Sequence, residues 1–121
     1  MANLELIEKD VQNLRTAIPD LRGVLLASND GQPLVSMLPP EVDAKRFAAM
    51  AAAAASVGRR VSLSLNVGPL NEVSLVGSEG QIFLYNAGDK AVLAVIGRTG
   101  ANTGLIHLEA RWAAQEIGLR F

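Results

Sequence analysis

The sequence predicts an α+β fold in which one five-stranded antiparallel sheet carries helices on both faces. Helical spacing of apolar residues near the N-terminus, in the middle and at the C-terminus predicts three helices. Short β-rich runs joined by tight turns predict hairpins rather than long crossovers. Residues 91–96 are apolar at every position, which is typical of a central strand buried on both faces. The predicted order is α-β-β-α-β-β-β-α, in a single domain over residues 1–121.

Composition excludes several classes of protein. Half of the 121 residues are hydrophobic, which excludes a disordered chain. The net charge of −1, with both signs mixed along the chain, gives no field that attracts nucleic acid or an anionic membrane. The sequence has no cysteine, so disulfides, thiolate metal sites and cysteine nucleophiles are excluded. Early acidic residues argue against a signal peptide, and no uncharged run reaches the ~20 residues that span a bilayer. We therefore expect a cytoplasmic protein that does not insert into membranes.

The first helix is followed by a hairpin. The helix is predicted from apolar residues spaced alternately by three and four positions: Leu4, Ile7, Val11, Leu14 and Ile18. Pro19 ends it. Two β-rich runs then flank residues 29–32, where Asp30-Gly31 predicts the hairpin turn. Pro33, at the start of the second run, indicates an edge strand.

The second helix contains the run RFAAMAAAAASVGRR, residues 46–60. Asp43 is its predicted N-cap. An apolar stripe at helical spacing continues through the alanines and beyond them: Phe47, Met50, Ala54, Val57, Val61 and Leu65. Residues 61–65, VSLSL, also alternate between apolar and polar residues like a strand. From the residues alone, helix and strand are equally compatible with this segment.

The second half of the chain predicts a meander and a closing helix. Residues 72–96 contain three strand-like runs separated by turns at 78–80 and 88–89, which predicts an antiparallel meander. The loop GRTGANTG, residues 97–104, precedes a helix with Asn102 or Thr103 as its N-cap. That helix carries an apolar stripe of Leu105, Leu108 and Trp112, with Ile106, Ala113 and Ile117 beside it.

The sequence indicates no catalytic, cofactor or metal site. His107 is the single histidine, and its neighbours at helical spacing, Thr103 and Arg111, form neither a catalytic triad nor a metal site. We expect a surface or half-buried helix residue. The acidic residues do not follow a calcium-loop spacing. We therefore expect a protein that is not an enzyme and that holds no cofactor.

The sequence also bears on small-ligand binding and on nucleic-acid binding. Arg98 stands beside a helix N-terminus in the GRTGANTG loop, a place that can hold an anion, so a small-ligand sensor stays open. The basic pairs, residues 45–46 and 59–60, lack the aromatic residues of a single-strand binding face, so we expect no nucleic-acid partner. Tyr85 and Trp112 are interpreted as core or interface residues.

The alanine-rich helix predicts self-association. Its bulky stripe is interpreted as facing the sheet. The opposite face is small and free of charge in the middle: Arg46, Ala49, Ala53, Ser56 and Arg60. Solvent faces of helices normally carry charged residues, so we expect this face to pack against another helix. Because a domain of this size has no further helix to cover that face, we expect a second copy of the chain to cover it, most simply in a twofold-symmetric dimer. The first meander strand, residues 72–77, is the expected exposed edge beside it.

Three stretches of the chain resemble the Roadblock/dynein light chain family. They are residues 23–36 around the Asp-Gly turn, residues 72–96 in the meander and residues 101–117 in the closing helix. In the closing helix the matching positions are Asn102, Gly104, Leu105, Glu109, Ala113 and Ile117. Each motif is structural, and their order and spacing over nearly the whole chain carry the resemblance.

The resemblance implies strand order 2-1-5-4-3, with the long second helix on one face and the terminal helices on the other. It also implies that VSLSL completes the second helix to about Asn66. Members of this family dimerise through that helix and the third strand. They act in signalling as regulators or scaffolds of small Ras-like GTPases, or as adaptors in larger complexes. A structural subunit without GTPase regulation is the alternative.

Carried onto this chain, the family pattern assigns two surfaces. The dimer interface would comprise Ala48, Ala51, Ala52, Ala55, Val73 and Leu75. The GTPase-binding surface would comprise Arg46, Ala49, Ala53, Ser56 and Arg60. The two sets exchange members if the helix is rotated about its axis. The family does not characteristically supply an arginine finger, so none is assigned to Arg59, Arg60 or Arg98.

Overall fold

The structure, a computed structural model, describes residues 3–121. Its elements follow the predicted order: α1 (Leu4–Ala17), β1 (Leu21–Ser28), β2 (Pro33–Met37), α2 (Ala44–Ser64), β3 (Glu72–Gly77), β4 (Gly80–Ala87), β5 (Ala91–Arg98) and α3 (Thr103–Gly118). The predicted α-β-β-α-β-β-β-α arrangement is confirmed.

The five strands form one antiparallel sheet in the order β2-β1-β5-β4-β3, as the resemblance implied. β5 pairs with β1 on one side and with β4 on the other. Its residues from Ala91 to Gly97 are all buried, which confirms a central strand covered on both faces. β2 and β3 form the two edges of the sheet, and Pro33 lies on an edge strand as predicted.

The helices divide between the two faces of the sheet. α1 and α3 pack together on one face, where Ile7, Ile106 and Ile117 lie in a fully buried cluster with Phe83 and Tyr85 of β4. α2 covers the other face alone, above a second cluster built from β1, β4 and β5. The protein therefore has one core on each side of a single sheet.

Side-chain caps fix where the helices begin. The Asp43 carboxylate accepts a hydrogen bond from the backbone N–H of Lys45 at 3.0 Å, and the Asn102 side chain accepts one from Leu105 N–H at 3.0 Å. The sequence predicted Asp43 as a cap, and it offered Asn102 as one of two candidates, with Thr103, for α3. α2 ends at Ser64, which confirms that VSLSL is mainly helical. Asn66 follows with a φ of 61°, a left-handed conformation that stops the helix.

Candidate interaction surface

The side of α2 that faces the sheet consists mainly of alanines, with Phe47 near the start of the helix. Ala48, Ala51, Ala52 and Ala55 each have at most 6% of their surface exposed. Because alanine ends at Cβ, the helix backbone lies close to the sheet. Gly58 shows how close the approach is, since a Cβ there would lie 2.9 Å from Val73 Cγ2. The alanine run therefore serves close packing within one chain.

The predicted rotation of α2 is wrong. Phe47 is buried and Ala54 is half-buried, but the rest of the stripe expected to face the sheet is exposed: Met50, Val57, Val61 and Leu65. The sequence-based interpretation placed the largest apolar side chains in the core. Beyond Phe47, the close approach of helix to sheet leaves room for little more than Cβ atoms. The four alanines assigned to the dimer interface consequently offer almost no surface to a second chain.

An apolar surface lies on the flank of α2 that borders β3. Met50, Val57 and Val61 are 57%, 48% and 49% exposed, and Leu75 of β3 is 47% exposed. Val73 is half-buried under Gly58 of the same helix. We call these five residues the β3-side surface. Isolated exposed apolar residues are common, but several large ones on one helix flank and on the neighbouring strand make this surface a candidate interaction site.

β3 leaves one of its edges unpaired. It pairs with β4 along its whole length, with Val73 opposite Leu84 and Leu75 opposite Ile82. Among residues 3–121, no strand pairs with its other side. The free N–H and C=O groups on that side can bind a further strand. The exposed edge expected beside α2 is therefore present.

The predicted GTPase-binding residues lie together on a second flank of α2. Arg46, Ala49, Ala53, Ser56 and Arg60 are all exposed. Ala49 packs against the β1–β2 turn at Gly31, so this flank lies on the far side of the helix from β3. We call these five residues the outer face of α2. The structure keeps them on one exposed surface, and their role in binding stays a prediction.

A polar cluster connects α3 to β3. His107 Nδ1 lies 2.8 Å from Tyr85 Oη and 2.7 Å from Glu72 Oε2. Arg111 Nε donates to Glu72 Oε1 at 3.1 Å. Burial, together with the negative charge of Glu72, raises the pKa of the Tyr85 phenol well above its usual range. The expected half-buried position of His107 is correct.

Sequence reasoning missed Glu72 as the partner of His107. Their contact joins β3 to a helix that follows two strands later, and no local spacing indicates it. The Phe83 ring also lies against the imidazole, with 4.7 Å between the ring centroids. The cluster holds α3 against the strand whose other edge is free. It is a structural element that orients β3.

The loop that suggested a small-ligand sensor shows no preformed ligand site. Arg98 is exposed at the end of β5, and the N-terminus of α3 is occupied by the Asn102 side chain. Within residues 3–121, no three acidic or histidine side chains come together as a metal site. None of the described helices has the length and hydropathy to cross a bilayer.

Comparison with known proteins identifies the fold and family. The model of the Roadblock/LC7 domain family matches residues 7–97, from α1 through β5. The uncharacterized protein MJ1340 of Methanocaldococcus jannaschii is 31% identical over 101 residues, which cover 84% of this chain and 88% of the relative. α3 lies outside the match to the family model.

Solved structures share the fold at lower identity. A structure of MglB with a tetrameric arrangement superimposes with a TM-score of 0.87, at 18% identity, over 95% of this chain and 87% of the other. A Roadblock/LC7 domain from Streptomyces avermitilis gives 0.83, at 21% identity, over 91% and 92%. From the family match over most of its length, the chain belongs to the Roadblock/LC7 domain family.

Proposed function

We propose that the protein is a homodimeric interaction module that binds, and regulates or scaffolds, a small Ras-like GTPase. The observation that carries the proposal is the β3-side surface, where large apolar side chains stay exposed beside an unpaired strand edge. A second copy of the same chain fits this surface in both respects, since an apolar patch and a free edge are each self-complementary.

The dimer surface keeps part of the predicted set and replaces the rest. Val73 and Leu75 remain, whereas Met50, Val57 and Val61 take the place of the four alanines. In a twofold dimer these side chains would be buried against the same residues of the second copy. Each Å² of apolar surface removed from water would stabilise the dimer by roughly 25 cal/mol. Pairing of the two β3 edges would extend the sheet across both copies.

The outer face of α2 is the proposed docking surface for the GTPase. Ala49, Ala53 and Ser56 lie on a different flank of the helix from the β3-side surface, so they stay exposed when the dimer forms. Arg46 borders Met50, and Arg60 borders Val57 and Val61, at the margin between the two surfaces. Two copies would present two adjacent helices with small side chains in the middle and Arg46 and Arg60 at the ends. Family members dimerise through this helix and regulate Ras-like GTPases, which supports the proposal.

The module is proposed to act by contact rather than by chemistry. No arginine of α2 or of the GRTGANTG loop is assigned a catalytic role, and the proposed function needs no cofactor. We expect it to act in the cytoplasm, where small GTPases exchange GDP for GTP.

The test is binding of a cognate Ras-like GTPase, loaded with GDP or with a non-hydrolysable GTP analogue. Isothermal titration calorimetry should show binding to the wild-type dimer in at least one nucleotide state. Ala53→Glu places a carboxylate on the outer face and should weaken binding by about tenfold or more. Thr16→Glu, which adds the same charge on exposed α1 across the sheet, should leave binding unchanged.

Two outcomes contradict parts of the proposal. A wild-type chain that sediments as a monomer at micromolar concentration contradicts the dimer. A dimer that binds no cognate GTPase and leaves its nucleotide turnover unchanged contradicts the GTPase partner. The second result favours a structural subunit of a larger assembly.

A further inference from the structure

The outward side of α3 carries a second exposed apolar stripe, across the sheet from α2. Trp112 and Leu108 are each 66% exposed, and Leu105 and Leu119 are also exposed. The buried side of the same helix is formed by smaller or β-branched residues such as Ala110 and Ile117. An exposed tryptophan flanked by leucines at helical spacing is unusual for a solvent face and marks an interaction site.

Trp112 borders a groove between α1 and α3. The start of α1 lies beside the end of α3, where the backbone N–H of Asn3 donates to the carbonyl of Arg120 at 3.1 Å. Leu14 and Ala17 line the α1 side of the groove, and Ala113 lies on the α3 side. A groove between two packed helices accepts a third helix, whose side chains fit between the ridges of the other two.

Acidic side chains line this groove. Asp10, Glu109 and Glu116 all contribute to its wall. Arg120 lies 3.1 Å from the Asp10 carboxylate and 3.9 Å from that of Glu116. Within residues 3–121, Glu109 forms no ion pair, so three carboxylates are balanced by one guanidinium. A cationic side chain placed here would meet both the Glu109 carboxylate and the face of the Trp112 indole.

We propose that the α1–α3 groove is a second docking surface, which binds a basic amphipathic helix of a partner protein. Apolar residues of that helix would cover Trp112 and Leu108, and its Arg or Lys residues would pair with Glu109 and Glu116. The negative charge disfavours the same groove of a second copy and an anionic membrane surface. Because this groove and α2 lie on opposite faces of the sheet, both surfaces can be occupied at once. The proposal is independent of the GTPase partner.

Trp112 is the chain's only tryptophan, so its fluorescence reports directly on this site. The probe is a synthetic amphipathic helix of leucine, alanine and arginine, and the control is the same peptide with glutamate in place of arginine. We expect the arginine peptide to shift the Trp112 emission to shorter wavelength in a saturable way. The glutamate peptide should bind at least about tenfold more weakly, and added salt should weaken the arginine peptide.

Variants separate the groove from general charge effects, with a fluorescent label on the arginine peptide as the readout. Glu109→Lys should weaken binding by about tenfold, whereas Glu8→Lys, the same charge change at an exposed α1 position outside the groove, should not. Trp112→Ala should weaken binding by about thirtyfold, the loss expected for an aromatic anchor. Circular dichroism should show that all three variants keep the wild-type fold.

Three results would overturn the proposal. The first is equal binding, or no binding, of the arginine and glutamate peptides. The second is an emission shift of Trp112 with vesicles of anionic phospholipid but not with the arginine peptide, which would indicate a membrane surface. The third is loss of self-association in Trp112→Ala during sedimentation, which would indicate a second copy of this chain.

Discussion

The two faces of the sheet are packed in different ways. Under α1 and α3, large side chains such as Ile7, Ile106 and Phe83 fill the space between sheet and helices. Under α2, the space is narrow and is filled mainly by alanine Cβ atoms above Leu25, Leu84 and Val92 of the strands. Apart from Phe47, which is buried there, the larger apolar residues of α2 point away from that core.

The two faces therefore differ in how many large helix residues the chain's own stability requires, and so in how many remain for association with another chain. On the α1–α3 side, large residues such as Ile7 and Ile106 fill the core of the same chain, although Leu108 and Trp112 stay exposed on the outward side of α3. On the α2 side, a thin core suffices because the helix approaches closely, and Met50, Val57 and Val61 stay available for another chain. Side-chain size therefore does not by itself show which side of a helix faces its own core.

The largest effect on stability is expected in the α1–α3 core. Ile106 is fully buried, and Ile106→Ala should lower the free energy of unfolding by about 2–5 kcal/mol through lost apolar contact and a residual cavity. Urea denaturation at one fixed protein concentration measures it. A loss below about 1 kcal/mol would show that this side is not the main core.

A moderate effect is expected from adding volume to the α2 core. Ala48 is fully buried, and Ala48→Leu should destabilise the fold by about 1–3 kcal/mol because the helix cannot stay as close to the sheet. Ala53→Leu adds the same volume on the outer face and should change unfolding by less than about 0.5 kcal/mol. Equal effects of the two variants would contradict the rotation of α2 described here.

A smaller effect is expected at the polar cluster between α3 and β3. Tyr85→Phe removes the hydroxyl beside His107 and should cost about 0.5–1.5 kcal/mol near neutral pH. Folding raises the pKa of Tyr85, so the unfolded chain loses the phenolic proton first as pH rises. Native stability should then fall above about pH 10.

The same variant tests the pH dependence. Tyr85 is the chain's only tyrosine, so Tyr85→Phe should make the decline above pH 10 less steep than in the wild type. Thermal unfolding followed by circular dichroism from pH 8 to 11 measures the difference. Parallel curves for the two proteins would show that burial does not hold the phenol neutral.

Local chemistry predicted much of the fold. The caps at Asp43 and Asn102 and the buried run of β5 each depend on residues close in sequence, and the structure confirms all three. The rotation of α2 did not follow, because residues 47–57 are apolar or small on nearly every side and give no contrast between faces. The contact between Glu72 and His107 depends on tertiary packing, and so does the exposure of Trp112.

We propose that α2 uses its alanines within the chain and its β3-side surface between chains. Sedimentation velocity of Val61→Glu and Leu63→Glu tests it most directly, since both residues are exposed on α2 and only Val61 belongs to that surface. Each change should alter the unfolding of one chain by less than about 0.5 kcal/mol. Val61→Glu should sediment as a monomer and Leu63→Glu as a dimer at micromolar concentration. Dimers of equal stability for both variants would contradict this use of the β3-side surface.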